Sequence, residues 1–581
     1  MMIDTIKKAI AIINESSSKN LHASARIGAA YAAAPSPVDS ESPVAQAIAD
    51  WRLVERNIQR QERYYIVDHA EQARSIDEVV YSLTFYVDSI DDVSHPSACS
   101  NENTPDEAST NSAPSSEKVD SSEAPRRFRG EATITIFPSF SLEECVVKIR
   151  QAVFAASKSH NPWFSLPAPS PLSVQVPISG FEALSFEDRV KSIRSALYSP
   201  FKHMNQPKAV PIVDSLAMPK NVNPRINSLE LFISKEQRRL LNSQGIDYLR
   251  TIWRGYSEFV VEADSLADIA SNSSVDSSAD SPSNNPADSP ANSLSKNLAD
   301  SSIDGFSDGS IDGSANNPYS TVELFDDIEF SEPDPARLAQ SIGDRLIQVG
   351  DRALAKPMPK LSGIALILRG KEAEEIFSWF FENSRTEAIY SKASPFRPGA
   401  NVQGGNENIE AEHKGDGAII EPLDLWAEPV ISGLPASAAF DSDGFPLERT
   451  LVIENGILKT LIGSVRHADW LGVPRKGAFL LFSVPGGSMS LEEIHSEPYL
   501  EPVMFSDFRL DSMTGDFGAE VRLAYYFDGK NVTPVTRGSI SGSMNTMRTT
   551  MRRTKEIATM SRSVCPIAVL LQGAIIAGAR Y

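Results

Sequence analysis

Two tracts of this chain cannot supply a hydrophobic core, and each one splits a pair of segments that read as neighbouring strands. Residues 89–125 are rich in Ser, Asn, Pro and acids, and residues 262–320 are built of Ser, Asp, Ala and Asn, as in "SNSSVDSSADSPSNNPADSP". Neither holds enough apolar surface to offset the entropy of ordering it. Before the first tract, "VVYSLTFYVD" puts Val79, Tyr81, Leu83, Phe85 and Val87 on one face; after it, "EATITIF" does the same with Ala132, Ile134 and Ile136. A hairpin with a lengthened turn accounts for this, because closure entropy grows slowly with loop length. "SEFVVEA" and "TVELFDDIEF" flank the second tract in the same way.

Helices are expected between these strands. "SLEECVVKIRQAVFAASK" opens with a Ser cap and a Glu three residues on, a capping-box pattern. "SFEDRVKSIRSALYS" and "DPARLAQSIGDRLIQVGDRAL" are amphipathic. Residues 50–357 therefore read as one N-terminal domain with inserts at 89–125 and 262–320, preceded by a loose, partly helical extension at 1–49. From 358 to 581 the texture is strand-rich. "TLVIENGILKTLIGS" flanks Asn455-Gly456 with apolar runs, and "RLAYYFDGKNVTPVTR" repeats the idea at Asp528-Gly529. The expected fold class is α+β. The N-terminal α/β domain carries an antiparallel sheet with helices. The C-terminal domain is mostly antiparallel β, barrel-like, with peripheral helices.

The 581 residues carry a net charge of −21. The first tract holds eight acids against one lysine and the second ten against one, so most of the excess sits in the inserts. An acidic chain argues against nucleic acid as a partner, since phosphate neutralisation needs a basic surface. Cys99, Cys145 and Cys565 form no CxxC spacing, which points to a reducing compartment. The first residues lack a signal peptide's apolar core. "VCPIAVLLQGAIIAGA", the longest apolar run, is too short and interrupted to span a bilayer and reads as a buried strand pair. The expectation is a soluble, cytoplasmic protein with no membrane partner.

Few motifs offer chemistry. "KEAEEIFSWFFENSR" follows the strand "SGIALILR" and reads as an amphipathic helix. Ile376, Phe377, Phe380 and Phe381 form its apolar stripe, and Glu374, Glu375 and Glu382 an acidic, solvated face. Those glutamates are candidate acid/base groups, but zinc would need His or Cys beside them, and no HExxH occurs. His413, His467 and His495 have no converging spacing. No GxSxG elbow and no P-loop lysine occur, so "PGGSMS" and "GSISGSM" read as tight turns. "IDGFSDGSIDGS" lacks the glutamate that closes a calcium loop. "MRTTMRRTKE" is a local basic patch on a solvated face.

Taken in order, the C-terminal motifs resemble the TldD/PmbA family of cytoplasmic metallopeptidases. The resemblance rests on "FDSDGFPLERTLVIENGILKTLIGSVRHADWLG", "PGGSMSLEEI", "MTGDFG", "GSISGSMNTM" and "QGAIIAG". Upstream, "VFAASKSHNPWFSLP" and "NSQGI" resemble the family's N-terminal domain. The family implies two kinds of subunit. TldD-type chains carry HExxxH on the helix after the first strand of the C-terminal domain, plus a later cysteine, and bind zinc. PmbA-type (TldE) chains lack these ligands and pair with them. Here that helix has no histidine, and Cys565 lies too near the final strand to be the zinc cysteine. "AIYSKASPF" and "MTGDFG" resemble PmbA-type segments. The resemblance thus implies a chain with no catalytic or metal-binding residue and no cofactor of its own. Zinc would sit in a TldD-type partner of a heterodimer, and the substrate would be an unfolded or extended peptide. Tyr390, Ser391, Lys392, Ser394, Asp443, Gly444, Thr514, Gly515 and Asp516 become candidate cavity-facing residues. The alternative is a stand-alone peptide-binding or scaffold protein of the same fold, and a third reading is a hydrolase using Glu375 and Glu382.

Overall fold

The computed structural model describes residues 2–28, 47–66, 71–90, 126–198, 222–264, 321–404 and 421–578. Both acidic tracts lie outside the described residues except at their edges, as do Cys99, His413 and residues 29–46.

The N-terminal part runs α1 (Met2–Gly28), β1 (Asp50–Ile66), β2 (Glu71–Ile90), β3 (Arg127–Ile136), α2 (Leu142–Ala156), β4 (Asn161–Pro162), α3 (Phe186–Tyr198), β5 (Arg225–Asn242), β6 (Asp247–Asp264), β7 (Thr321–Phe330) and α4 (Pro335–Leu354). Its strands form one sheet in the order β4-β3-β2-β1-β5-β6-β7, with every neighbour antiparallel. The two interrupted hairpins both form. Leu83 pairs with Ile134 and Phe85 with Ala132, and across the second tract Phe259 pairs with Asp326. Ser141 caps α2 through the expected capping box with Glu144.

The expected loose extension begins instead with a docked helix. Ile6, Ala9, Ile10 and Ile13 recur every three or four residues, and this stripe is buried against Cys145 and Ile149 of α2 and Leu53, Leu83 and Phe85 of the sheet. On the other half of the sheet α3 and α4 cover β5–β7, with Ile193, Leu338, Ile342 and Val349 packed on Phe259, Val261 and Leu324.

The C-terminal part contains β8 (Lys356–Pro357), β9 (Ala365–Arg369), α5 (Lys371–Asn383), α6 (Thr386–Tyr390), β10 (Leu425–Glu428), β11 (Thr450–Glu454), β12 (Ile457–Leu458), α7 (Val465–Leu471), β13 (Leu481–Ser483), α8 (Leu491–Ile494), β14 (Tyr499–Leu510), β15 (Asp516–Phe527), β16 (Val532–Thr536), β17 (Gly538–Ser543), α9 (Met544–Met547), β18 (Arg552–Arg553), β19 (Ile557–Thr559), β20 (Ser563–Pro566), β21 (Ala568–Leu571) and β22 (Ile575–Ala577). One sheet runs β12-β11-β10-β13-β20-β19. The other runs β18-β21-β9-β14-β15-β16-β8, with β17 joining β15 to β22. Among the described residues neither sheet closes, so the barrel-like form is not reached. Asn455 and Gly456 both take positive φ in the turn from β11 to β12, as the sequence pattern predicts. The last apolar run is largely buried as far as Leu571 and is not a strand pair. β20, β21 and β22 pair with three different strand sets, because each short piece ends before it can fold back on the next.

Two glycine-rich segments also differ from expectation. Gly486 and Gly487 mark close backbone approach rather than tight turns. A Cβ at either would lie within 2.4 Å of the Lys555 or Arg553 carbonyl oxygen. "GSISGS" is strand β17. The basic stretch is not wholly solvated either: Arg553 is buried and ion-paired with Glu421 at 3.3 Å.

The ends of β6 and β7 position the site. β6 has 18 residues and β7 only 10. Their pairing stops at Gly255–Phe330, where the Phe330 ring lies over the glycine and a Cβ would come within 2.1 Å of it. Beyond Phe330 the chain reads Ser-Glu-Pro-Asp-Pro, and neither proline can donate to a ladder. Asp334 then caps α4, with Pro335 at its first turn. Residues 247–254 of β6 are left without a partner on that side among the described residues. Gly255→Ala is expected to displace Phe330 and cost about 1–3 kcal/mol, read as a lowered urea midpoint with an unchanged slope.

Candidate functional site

The helix α5 was the sequence's strongest offer of chemistry, and its glutamates have separate fates. Glu374 is buried, not solvated. Its carboxylate accepts from the backbone N–H of Arg562 (2.8 Å) and Ser561, and from the hydroxyls of Ser563 (2.7 Å) and Ser561. It therefore ties α5 to the start of β20. Glu382 pairs with Arg385 and, at 3.0 Å, with Arg562. Glu375 is exposed. Trp379, Phe380 and Phe381 are fully buried, with Phe381 stacked on Phe482. Cys565 lies below this helix, and burial pushes its thiol up to about 12, away from the thiolate a metal needs. Among the described residues no three His, Cys, Asp or Glu side chains gather to hold an ion.

The nine candidate residues divide among three places. Tyr390 joins a ring cluster with His467 (5.6 Å) and Trp470 (5.0 Å), and the Trp470 indole donates to the Pro162 carbonyl across the domain seam. Ser391 donates to the Glu387 carbonyl at the end of α6, and exposed Lys392 follows with φ 58°. Ser394 donates to the Asn383 carbonyl, and Asn383 donates to the Ser512 carbonyl. That bond leads to the turn of Thr514, Gly515 and Asp516, where Gly515 sits with φ 73° against Trp379. Thr514 and Asp516 complete the turn through the Asp511 carboxylate and the Thr514 hydroxyl.

Asp443 and Gly444 mark the third place, the contact with the N-terminal sheet. Asp443 is buried in an ion pair with Arg52 of β1, and Gly444, at φ 90°, packs against Ile246 and Leu240. Asp441 holds this loop through the backbone N–H groups of Asp443, Phe445 and Ala478. Burial, reinforced by Asp443, pushes Asp441 up to about 6.

Sequence reasoning missed a concavity beside β6. A cavity of about 610 Å³ lies where β6 meets the loop after β10. Leu249 to Trp253 form one wall, Ile431 to Pro435 face them, and Ser331 and Glu332 close one end. A smaller cavity of about 160 Å³ adjoins it and shares Arg250 and Phe440. None of the nine candidates lines either cavity. The available signal was the mismatch between "IDYLRTIWRGYSEFVVEAD" and the much shorter "TVELFDDIEF", which ends at two prolines.

Residues 363–578 match the PmbA/TldA metallopeptidase C-terminal domain. The C-terminal domain belongs to the TldD/PmbA family. An uncharacterised protein of Methanocaldococcus jannaschii is 23% identical over 152 residues, which cover 24% of this chain and 36% of that protein. This chain therefore spans little more than a third of its curated relative. Over the whole chain the fold is similar to that of TldE from Thermococcus kodakarensis. The TM-score is 0.58 at 14% identity, covering 91% of this chain and 97% of that one. A Thermotoga maritima protein described as a modulator of a DNA gyrase has a TM-score of 0.56 at 13% identity, covering 91% and 95%. At such identities the likeness is one of fold. In the TldD/PmbA-type domain here, α5 is the helix after strand β9, and its Lys371, Glu374 and Glu382 are engaged in structural bonds. Among the described residues no helix is long and apolar enough to cross a membrane.

Two predictions follow from these bonds. Glu374→Ala strands the donors of Ser561, Arg562 and Ser563, and is expected to cost roughly 3 kcal/mol in urea unfolding. His495 offers a pH test. Its Nδ1 faces the Leu491 carbonyl at 2.7 Å, and its Nε2 faces the buried Glu501 carboxylate at 2.9 Å. Burial opposes the charge, but these two acceptors outweigh it and raise the folded pKa. The stabilisation is therefore fully present below the unfolded pKa of about 6.5. It is lost as pH rises through the higher folded value. His495→Gln is expected to lower the melting temperature more at pH 5.5 than at pH 9.

Proposed function

We propose that this chain is a PmbA/TldE-like subunit of a TldD/PmbA-type peptidase complex that binds and confines extended peptides. The zinc, the activated water and the general base would come from a TldD-type partner, and no metal is assigned to this chain. The observation that carries the reading is the state of α5. It stands directly after β9 in a family domain, and its inward carboxylate, Glu374, is already committed to four donors of the β20 segment. The nearby thiol of Cys565 is held protonated by burial. Such a donor set does not suit zinc, which takes thiolate, imidazole or a free carboxylate.

Confinement has a physical basis in the same fold. An extended peptide satisfies its backbone groups by adding to a free strand edge, a mode that tolerates many sequences. A cytoplasmic location and a heterodimer belong to this reading, as does an unfolded or extended peptide as substrate. The nine candidate residues would then act at the partner seam or hold loops that meet the peptide.

Affinity purification of the full chain from its own cells tests this. A TldD-type chain bearing HExxxH is expected to co-purify in stoichiometric amount, with peptidase activity that a chelator abolishes. The reading is overturned if the chain purified alone binds one zinc per molecule and cleaves unfolded peptides in a chelator-sensitive way. A chain that recovers no such partner is instead the stand-alone peptide-binding protein.

A further inference from the structure

We infer that the 610 Å³ cavity is a subsite for an extended peptide bearing a carboxylate, with the free edge of β6 pairing the peptide backbone and Arg250 taking the acid. The inference rests on the peptide-binding reading above and adds where this chain binds and what charge it selects.

Three observations meet at this cavity. The first is the backbone. Leu249, Arg250, Thr251, Ile252 and Trp253 all line it. Successive strand residues point to opposite faces, so a cavity lined by five in a row runs along the strand's edge rather than over one face. This is the edge that β7 leaves when it ends at Gly255–Phe330. At about 3.3 Å per residue the five positions span room for four or five peptide residues.

The second observation is apolar exposure. Leu249 is 64% exposed, Ile178 84% and Leu172 38%, and all three line this cavity. Large apolar side chains left in water around an unpaired strand edge are the surface that strand addition covers.

The third is charge. Arg250 is largely buried and donates to the Pro435 carbonyl at 3.0 Å, while its Nε is buried with no hydrogen-bond partner. No carboxylate among the described residues forms a salt bridge with it. The acids nearby are engaged elsewhere. Glu182 is bound to Lys235 and the Trp253 indole, and Glu332 accepts from the Gly180 N–H. Glu236 is paired with Arg56 and Arg238, and Glu428 with Arg449 and the Ser483 hydroxyl. Arg238 lines the adjoining small cavity, so a second guanidinium lies toward its far side. A guanidinium that lines the cavity beside an open strand edge, with no carboxylate partner among the described residues, matches a planar carboxylate. The chain's overall charge of −21 disfavours anions at long range, so any preference for acid has to arise locally.

The test uses the purified full chain and fluorescein-labelled hexapeptides of alternating Val and Thr, read by fluorescence anisotropy. One peptide has a central Glu and an amidated C-terminus. The second replaces Glu with Gln, and the third keeps Gln but has a free C-terminal carboxylate. Two further Glu peptides are N-methylated at odd or at even positions. A single carboxylate is expected to tighten binding about tenfold over the neutral peptide, a difference of ~1.4 kcal/mol. Preference for the first peptide over the second assigns the acid to a side chain, and preference for the third over the second assigns it to the peptide terminus. Arg250→Gln is expected to erase that preference. Leu249→Glu, at an exposed position that leaves folding intact, is expected to weaken the acidic peptides further. One N-methylation pattern is expected to abolish binding. Equal affinity for charged and neutral peptides, or a preference that survives Arg250→Gln, overturns the carboxylate subsite. Tolerance of both N-methylation patterns overturns the strand pairing. Because binding is read on the chain alone, either failure is separate from the absence of a TldD-type partner.

Discussion

The placement of the cavity beside β6 depends on how the C-terminal part is anchored in the N-terminal one. Leu523 and Tyr525 of β15 lie inside the core formed by β5–β7, α3 and α4. The Tyr525 hydroxyl donates to the buried Asp351 carboxylate of α4 at 2.6 Å. Burial raises the pKa of both groups, and the bond between them leaves neither an orphaned polar atom in the core. A second link runs through Asp326 of β7, held at 2.9 Å by both Arg345 of α4 and Lys371, the first residue of α5. These two cations outweigh burial and keep Asp326 below its usual range. Helix α5 is thereby fixed to the N-terminal sheet.

That anchoring makes the loop after β10 face β6. Arg52 and Asp443 close the seam on the β1 side, and the Ser331 N–H donates to the Gly433 carbonyl on the other. The cavity is what remains where β7 has already stopped. Its walls come from both domains, and its depth is set by the rigid contacts on either side. In the proposed complex, binding and cutting would belong to different chains, and the glutamates of α5 would serve the fold.

Much of the architecture was legible from local pattern. The period-two faces of 79–87 and 131–137 paired as read, the capping box at Ser141 formed, and Asn455-Gly456 turned the chain. These features depend on a few neighbouring residues and one kind of packing, so they survive without knowledge of the rest. Expectations that needed distant partners fared worse. Glu374 read as solvated because its serine and backbone donors lie almost two hundred residues away. The glycines of "PGGSMS" read as turns because the approaching Lys555 backbone is remote in sequence. α1 read as loose because the faces of α2 and β1–β2 that cover it come from later in the chain.

By itself the sequence determined the strand and helix periods, the segments unable to form a core, and the absence of imidazole from the helix after β9. Each of these is a property of residue type and spacing. Only the tertiary structure decided where charge is unmet and where an edge is open. Arg250 looks like any strand arginine until its surroundings are known. Its neighbours Glu236 and Glu428 prove committed to other cations, and its buried Nε has no hydrogen-bond partner. An unpaired edge is a statement about a missing neighbour, and only the assembled sheet, with β7 halted by Phe330 and two prolines, shows which neighbour is missing.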